Sequence, residues 1–282
     1  MPSSSMLAVA GLLLILALVI FHQVFWPGLR LQGIRRQVFP RAWESLLLRA
    51  LPIYACLSRE QQEQLKNLIK QFIADKNFVG CAGQQIDDVI RVTIAANACL
   101  LLLNRNTGCY PLLRSVLVYP STFVVAHEHQ DEGGLVSTHE QVLVGESWGD
   151  GKIVLAWDDV QHGVTDFSDG HNVVLHEFAH ALDHEDGASN GAPLLRTRGA
   201  YKNWARVFAA EFTELQARAQ GGAGSLLDQY GATNPAEFFA VATETFFEKP
   251  RELQAQHAEL YAELVSYYQV DPVGWLAAPR AT

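Results

Sequence analysis

The chain has 282 residues, 49% of them hydrophobic, so it can bury a substantial core, and this composition excludes intrinsic disorder. The formal net charge of −9 argues against direct binding of nucleic acid. Four cysteines without C-x-x-C spacing predict buried free thiols in a reducing compartment, with neither a disulfide framework nor a zinc knot. They are Cys56, Cys81, Cys99 and Cys109.

An apolar run near the N-terminus predicts a membrane anchor. Residues 6–26 contain no Asp, Glu, Lys or Arg, and about 20 apolar residues span a bilayer as a helix. The run lacks the basic n-region and the A-x-A-like site of a cleavable signal peptide. No Lys or Arg precedes it, whereas four arginines follow it closely, namely Arg30, Arg35, Arg36 and Arg41. The positive-inside rule then predicts a single-pass inner-membrane protein, anchored by residues 1–28 and otherwise cytoplasmic, with a wholly cytoplasmic protein as the alternative.

The segment after the anchor, residues 29–110, predicts a helical layer without chemistry. The apolar positions follow helical spacing, and one helix start carries the Ser-x-x-Gln pattern of a capping box. We expect Pro27-Gly28 to end the anchor helix. The other predicted elements are two short helices over 41–57 divided by Pro52, a long helix after Ser58 and Gln61, a turn over 77–83 and an apolar helix over 86–103.

Alternating apolar residues then replace the helical spacing and predict a small mixed sheet. Within this region His127, Glu128 and His129 resemble a metal cluster, but their polar surroundings predict a solvated loop. The last strand is a candidate edge strand with which an extended peptide could pair. The four predicted strands are Val116–Tyr119, Thr122–Val125, Val142–Val144 and Ile153–Trp157.

A metal-binding motif follows the predicted sheet. His176, Glu177 and His180 form H-E-x-x-H, and residues four apart share one helix face, so both imidazoles can bind one ion. Zn²⁺ is the usual ion for such ligands, and Glu177 is the expected base for its water. The surrounding residues are apolar, so the helix is expected in a core, where these polar side chains need partners. The alternative is a pair of core histidines bonded to carbonyls, with Glu177 at the edge of a cleft.

The third ligand is not fixed by spacing. A motif extended to H-E-x-x-H-x-x-G-x-x-H is excluded, because the chain has Asp183 and Asp186 where Gly and His are required. A gluzincin site takes a Glu from a later helix, and Glu237 and Glu244 share one face of such a helix. Either could be the ligand, with the other orienting a ligand histidine. Asp183 is expected either to hold a ligand histidine or to form a surface salt bridge.

Helix ends around the motif can also be predicted. Either Asp169 or Asn172 could cap the motif helix, and the later helix that carries the glutamates begins at Pro235 after a cap by Thr233 or Asn234. Two more helices are predicted over Tyr201–Gln220 and over the tail Arg251–Tyr268.

Taken together, the motifs resemble the Mlc titration factor A (MtfA) family of bacterial metallopeptidases, whose catalytic region is similar to that of anthrax lethal factor. The resemblance runs from about Leu46 to the last helix. It rests on Gly145-Glu-Ser-Trp, Val154-Leu-Ala-Trp-Asp-Asp-Val, Gly170-His-Asn-Val-Val-Leu-His-Glu-Phe-Ala-His-Ala-Leu-Asp and Tyr230 through Phe247. It implies that His176, His180 and Glu237 bind one Zn²⁺, that Glu177 is the catalytic base and that Tyr230 points its hydroxyl into the site. Without the resemblance, Tyr230 would be read as a core aromatic residue.

The resemblance also implies a fold and a function. The fold is α+β, with a zincin-like metallopeptidase domain over residues 111–282 that forms one compact unit with the helical layer. The activity is that of a gluzincin-type zinc peptidase, aminopeptidase-like, acting on peptides. The family role is to regulate the glucose phosphotransferase system by binding the transcriptional repressor Mlc. The alternative is a non-catalytic binding protein that sequesters a repressor, with the anchor holding it at the membrane; the best-known soluble member of the family lacks such an anchor.

Overall fold

The computed structural model describes residues 13–277 apart from 17, 20, 106, 122–123, 131–135 and 143–150. The Gly145-Glu-Ser-Trp segment therefore lies outside the described residues. The α-helices are α1 (Trp26–Arg36), α2 (Arg41–Ala50), α3 (Arg59–Asp75), α4 (Asp88–Leu100), α5 (Trp157–Thr165), α6 (Val173–Asp183), α7 (Arg198–Gln220), α8 (Pro235–Glu248), α9 (Pro250–Gln256), α10 (Ala258–Tyr268) and α11 (Pro272–Ala277). The strands are β1 (Asn77–Gly80), β2 (Ser115–Tyr119), β3 (Val124–Gln130), β4 (Val136–Val142) and β5 (Lys152–Ala156).

The strands form two separate sheets rather than the one mixed sheet expected. Strands β1, β2 and β5 pair in that order and are parallel, whereas β3 and β4 form an antiparallel hairpin. Parallel neighbours need a long crossover connection, which α4 supplies between β1 and β2. Among the described strands, β5 lies at one end of the parallel sheet, as the edge-strand prediction required.

Two loop predictions were wrong in this region. Residues Asn77–Gly80, expected as a turn, form β1 because their backbone pairs with β2 in register from Asn77↔Ser115. The stretch His127 to His129, expected as a solvated loop, lies in β3, where His127 is opposite His139 of β4. Its side chains lie outside the described part of the chain. The first error arises because the pairing partner of β1 lies far along the chain.

The helical layer follows the predicted pattern closely. Pro52 separates α2 from a 3₁₀ turn over Pro52–Cys56. Ser58 caps α3 by a capping box, in which Gln61 N donates to Ser58 Oγ (3.2 Å) and Ser58 N donates to Gln61 Oε1 (3.1 Å). The four cysteines are free; Cys99 and Cys109 are buried and the other two are partly buried.

The N-terminal helix differs from its prediction at Pro27. A π-helical turn, Phe21–Phe25, runs directly into α1, so Pro27-Gly28 does not end the helix. Pro27 lies in the first turn of α1, where a missing N–H costs little. The later part of α1 contacts the helical layer, since Arg30 forms an ion pair with Asp75 (3.0 Å) and Ile34 is buried.

The helix Leu13–Arg36 is long and apolar enough to cross a membrane. Its most apolar 18-residue stretch has a mean hydropathy of 1.6, and none of that stretch is buried. Residues 6–12 of the predicted anchor lie outside the described range. Length and composition are the basis of this finding, and a signal sequence can share both properties.

Helices α6 and α8 occupy the centre of the protein. Phe178 of α6 packs against Phe72 of α3 (ring centroids 5.6 Å apart) and against Tyr110 (4.8 Å). Helix α8 is buried at nearly every position after its first turn. The motif helix therefore lies between the helical layer and α8, so that its exposed surface is confined to a few side chains.

Helix α5 and a break in the C-terminal helix were not foreseen. Helix α5 starts at Trp157, which had been assigned to the end of a strand. The tail predicted as one helix is broken into α9 and α10 at His257, whose backbone leaves the helical region (φ −134°, ψ 58°). His257 Nδ1 lies 2.7 Å from Glu211 Oε2 of α7, a contact between distant segments that accompanies the break.

Candidate metal centre

The motif helix α6 begins with a side-chain cap. Asn172, rather than Asp169, is the cap: its Oδ1 accepts a hydrogen bond from Leu175 N (3.1 Å). Its amide nitrogen is also fixed, since Nδ2 donates to Asn97 Oδ1 (3.2 Å) and to Glu248 Oε1 (3.1 Å). The oxygen and the nitrogen of the buried Asn172 side chain are thus both hydrogen-bonded, and together they fix the start of the helix that carries the motif.

Helix α8 is positioned by an equivalent cap. Asn234 Oδ1 accepts from Ala236 N (2.9 Å) and from Glu237 N (3.0 Å), so Asn234, and not Thr233, is the cap. Pro235 occupies the first turn as predicted. This cap fixes the backbone of Glu237 in the first turn, where the side chain faces α6.

The structure brings His176, His180 and Glu237 together at one point. Glu237 Oε2 lies 3.0 Å from His176 Nε2 and 3.3 Å from His180 Nε2, and the two Nε2 atoms are 3.2 Å apart. Among the described side chains, these three form the group of potential metal ligands. A tetrahedral zinc ion with bonds of about 2.0–2.1 Å would separate its ligand atoms by roughly 3.3–3.4 Å.

Glu244 determines which histidine nitrogen faces this point. Its Oε2 lies 3.0 Å from His176 Nδ1, and its Oε1 accepts from Asn172 N (2.8 Å). A carboxylate beside Nδ1 favours the tautomer with the proton on Nδ1, which leaves a lone pair on Nε2 directed at Glu237. Two acceptors then face each other, and a cation satisfies both. The residues therefore fit a metal ion.

The electrostatics of the cluster favour a positive charge. Burial alone would raise the pKa of Glu237, but hydrogen bonds with His176 and His180 outweigh it and lower the pKa to about 2. Burial opposes a charge on His176, yet the nearby Glu244 and hydrogen bonds to both carboxylates raise its pKa well above the usual value. A proton and a metal ion compete for the same nitrogen, and either is stabilised by the same carboxylates.

Glu177 lies beside the cluster with no described partner. The residue is 1% exposed, and its Oε2 has no hydrogen-bond partner in the described structure. Burial raises its pKa to about 7, although the adjacent His176 and His180 oppose the shift. A carboxyl group with a pKa near neutral pH can both accept and return a proton.

Tyr230 lies at the mouth of the cluster rather than in the core. It is 56% exposed, and its ring centroid is 6.0 Å from that of His176. The 3₁₀ turn Gln229–Ala232 holds it, and Asp228 Oδ1 fixes its backbone N at 2.6 Å. The core-aromatic alternative for Tyr230 is therefore wrong.

Two other acidic residues have clear positions. Asp183 is fully buried and its Oδ2 accepts from Gly191 N (2.8 Å), so the surface salt bridge considered for it is wrong. Glu248, which the sequence analysis missed, accepts from Gly170 N (2.9 Å) and from the cap Asn172. Its spacing of one helical turn from Glu244 was the signal that could have identified it.

Comparison with known proteins identifies the family of this chain. The family described as glucose-regulated metallo-peptidase M90 matches residues 27–269. This chain belongs to the M90 metallopeptidase family. A relative in Synechocystis sp., an uncharacterized protein, is 41% identical over 249 residues, which are 88% of this chain and 90% of the relative.

Several relatives carry the name Mlc titration factor A, and two of them are described here. The Cronobacter sakazakii protein is 34% identical over 237 residues, covering 83% of this chain and 88% of its own. The Escherichia coli protein is 31% identical over 251 residues, covering 88% and 92% respectively. The resemblance to the MtfA family inferred from the motifs is therefore confirmed, and the chain belongs to a family of metallopeptidases.

Proposed function

We propose that this M90 protein is a zinc-dependent peptidase in which His176, His180 and Glu237 bind one Zn²⁺. The observation that carries the proposal is the convergence of two imidazole nitrogens and one carboxylate oxygen beside the buried, unpartnered Glu177. Two nitrogen ligands and one oxygen ligand are typical of catalytic zinc sites with three protein ligands.

Each remaining residue has a defined task in this proposal. When bound, zinc would supply a Lewis acid that polarises the peptide carbonyl and acidifies water. Glu177 accepts the proton of the attacking water and returns it to the leaving amine, for which a pKa of about 7 is well matched. Tyr230 donates a hydrogen bond to the oxygen that gains charge. Glu244 keeps His176 in the tautomer that presents Nε2.

We further propose that the activity is aminopeptidase-like. The resemblance to the MtfA family supports small peptides with a free N-terminus as substrates. Strand β5 supports the binding of an extended peptide, since it ends the described parallel sheet and leads directly into α5. Aminoacyl substrates should be cleaved and their N-acetylated counterparts should not. Equal cleavage of both would assign an endopeptidase activity instead.

The test of the catalytic proposal compares the full-length protein with Glu177→Gln. Glu214→Gln is the matched control, because Glu214 is exposed on α7 and pairs only with Arg218 in the described structure. Metal content and hydrolysis of aminoacyl and peptide chromogenic substrates are measured on the same samples. We expect about one zinc in all three proteins and at least a hundredfold loss of hydrolysis in Glu177→Gln alone. Equal cleavage by wild type and Glu177→Gln would refute the assignment.

A second function is supported by the names of the relatives. Two proteins 31–34% identical to this chain are called Mlc titration factor A. We propose that this chain also binds a transcriptional repressor of the Mlc type, and so regulates glucose phosphotransferase genes. The full-length protein and Glu177→Gln should bind such a purified repressor equally in a surface-plasmon-resonance assay. Absence of binding by both proteins would leave hydrolysis as the sole function.

We propose that residues 6–26 anchor the protein in the inner membrane, with residues 29–282 as one cytoplasmic unit. The apolar side chains from Leu13 to Phe25 are exposed wherever they are described. The pairing of Arg30 with Asp75 would keep the helical layer close to the membrane surface. The protein should stay in the membrane fraction after a carbonate wash, and deletion of residues 1–25 should release it. Full extraction of the intact chain by carbonate would favour the wholly cytoplasmic alternative.

A further inference from the structure

The helix that contains the proposed anchor continues without a break into α1. A helix rises about 1.5 Å per residue, so Arg30 lies at most about 6 Å beyond Trp26, the last residue of the predicted span. The polar headgroups form a layer of roughly 5–8 Å on each side of the hydrocarbon core. If residues 6–26 cross a membrane, as proposed above, Arg30 therefore lies among the headgroups.

Two polar contacts fix α1 on α3. Arg30 Nη1 lies 3.0 Å from Asp75 Oδ1, at the last residue of α3. Further along α1, the buried Lys70 donates from Nζ to the backbone oxygens of Arg35 (2.9 Å) and Gln37 (2.6 Å). Because these contacts lie at two points along α1, the helix cannot pivot about one without breaking the other. The end of α3 at Asp75 is therefore held at the level of the headgroups.

One edge of the parallel sheet lies beside the end of α3. Lys76 directly follows Asp75, and its Nζ donates to the backbone oxygens of Tyr110 (2.7 Å) and Leu113 (2.9 Å), which holds the turn between them. Strands β1, β2 and β5 are parallel and start in register, so their first residues share this edge. The edge at which the three strands begin is therefore the one that faces the membrane.

This edge presents exposed apolar and basic side chains. Pro111 and Leu112 form the tip of the turn before β2, and both are exposed, Leu112 by 50%. Arg114 directly precedes β2, Lys152 is the first residue of β5, and both are exposed. We call these four residues the membrane-facing edge. An apolar tip with basic residues beside it is suited to the boundary between acyl chains and headgroups.

The surrounding charges favour an anionic membrane surface. Residues 27–59, which follow the predicted span, contain six Arg and one Glu in a chain whose net charge is −9. Two acidic residues lie beside the membrane-facing edge: Asp75 is paired with Arg30, and Glu185 has one carboxylate oxygen that is inaccessible to solvent. Basic residues within about one Debye length of an anionic bilayer are attracted to it. Phospholipid headgroups therefore complement this part of the chain.

We propose that the membrane-facing edge binds the headgroups of anionic phospholipids. Arg114 and Lys152 would donate to phosphate oxygens, while Leu112 would insert at the boundary with the acyl chains. The inference rests on the membrane anchor proposed above and extends it. The anchor would keep the chain at the membrane, whereas this edge would determine which side of the folded domain faces the lipid.

The test uses the full-length protein in nanodiscs that contain equal amounts of phosphatidylcholine and phosphatidylglycerol. The photo-crosslinking residue p-benzoylphenylalanine replaces Leu112 or, as the matched control, Val89. Val89 is 43% exposed at the start of α4, which returns the chain from the end of β1 to the start of β2 and so begins near the opposite edge of the sheet. We expect lipid adducts at position 112, with at least a threefold preference for phosphatidylglycerol, and none at position 89.

Two outcomes of this experiment would overturn the inference. One is the absence of lipid adducts at position 112 in protein that stays with the discs, and the other is equal adduct formation at the two positions. Crosslinks between two protein chains in place of lipid adducts would equally refute it, since they would show a protein interface.

Variants test the role of the basic side chains. The double variant Arg114→Gln and Lys152→Gln should lower the preference for phosphatidylglycerol at position 112 to the composition of the disc. Arg218→Gln, at an exposed position on α7, should leave the preference unchanged. An unchanged preference in the double variant would refute headgroup binding by these residues.

A carbonate wash of the same proteins separates failure of this inference from failure of the anchor. Protein that resists the wash but gives no lipid adduct at position 112 would refute the inference alone. Protein that the wash extracts would refute the anchor and this inference with it.

Discussion

Glu244 offers the sharpest test of how the metal site is held. Its two oxygens have separate tasks, since Oε2 faces His176 Nδ1 at 3.0 Å and Oε1 accepts from Asn172 N at 2.8 Å. In Glu244→Gln one oxygen becomes an amide nitrogen, which cannot accept a hydrogen bond. If the remaining oxygen stays with Asn172, the new N–H₂ opposes Nδ1–H, and the imidazole must change tautomer or rotate. Either change removes the Nε2 lone pair from the metal position.

The expected loss can be estimated from this geometry. Replacing a carboxylate that orients a metal-ligating histidine typically weakens metal affinity or activity by about 10- to 100-fold, or about 1.4 to 2.7 kcal/mol. Glu244 is only 5% exposed, so water does not readily replace the lost contact, and the upper half of that range is expected. Zinc affinity is measured by competition with a fluorescent chelator, and hydrolysis is measured on the same preparations.

Glu248→Gln is the control for this experiment. Glu248 lies one turn further along α8 and bonds Asn172 Nδ2 and Gly170 N, but it contacts no histidine in the described structure. Its substitution should therefore leave zinc affinity within about threefold of wild type. Thermal melts of the zinc-free proteins establish that both variants are folded. Wild-type zinc affinity in a folded Glu244→Gln protein would show that this carboxylate does not orient His176.

Three further predictions concern stability. Gly191→Ala should destabilise the protein by about 2–4 kcal/mol in denaturant unfolding, because φ is +75° and a Cβ would lie 2.2 Å from Pro235 O. Gly187→Ala is the control: this glycine also has a positive φ, but a Cβ there would meet open space, so the substitution should cost about 1 kcal/mol. Burial raises the pKa of Glu248 from 4.5 to about 8, so the folded state retains a proton that the unfolded state releases, and stability should fall by a few kcal/mol from about pH 4.5 to 8. The free energy of unfolding is measured for wild type and Glu248→Gln across this pH range. A difference between the two that does not change with pH would contradict the prediction. Asn234→Ala removes a cap with two hydrogen bonds and should cost about 1–2 kcal/mol; an unchanged urea midpoint would show that the cap contributes nothing.

Local sequence signals were sufficient for the helix that carries the site. Three signals lie within a few residues of one another: the spacing of His176 and His180, the apolar residues between them and the polar cap before them. The same holds for the capping box at Ser58 and for the start of α8 at Pro235. Spacing could not separate Glu237 from Glu244, because both lie on the same helix face; their assignment depends on which oxygen meets which imidazole nitrogen.

Features that depend on distant segments could not be predicted in this way. Strand β1 exists because Asn77–Gly80 pairs with β2, a partner that these four residues alone could not indicate. The break at His257 accompanies a contact with Glu211 on another helix.

The charge balance of the metal cluster bears on the choice between hydrolysis and repressor binding. Glu177 and Glu244 are buried, and Glu237 is nearly so, yet the described ion pairs of these carboxylates involve histidine and no Lys or Arg. Buried carboxylates without a compensating charge are costly, and a divalent ion compensates two of them while both imidazoles stay neutral. A protein that only sequesters a repressor needs none of these groups, and hydrophobic residues of similar volume would make α6 and α8 more stable. The cluster is therefore best explained by metal chemistry.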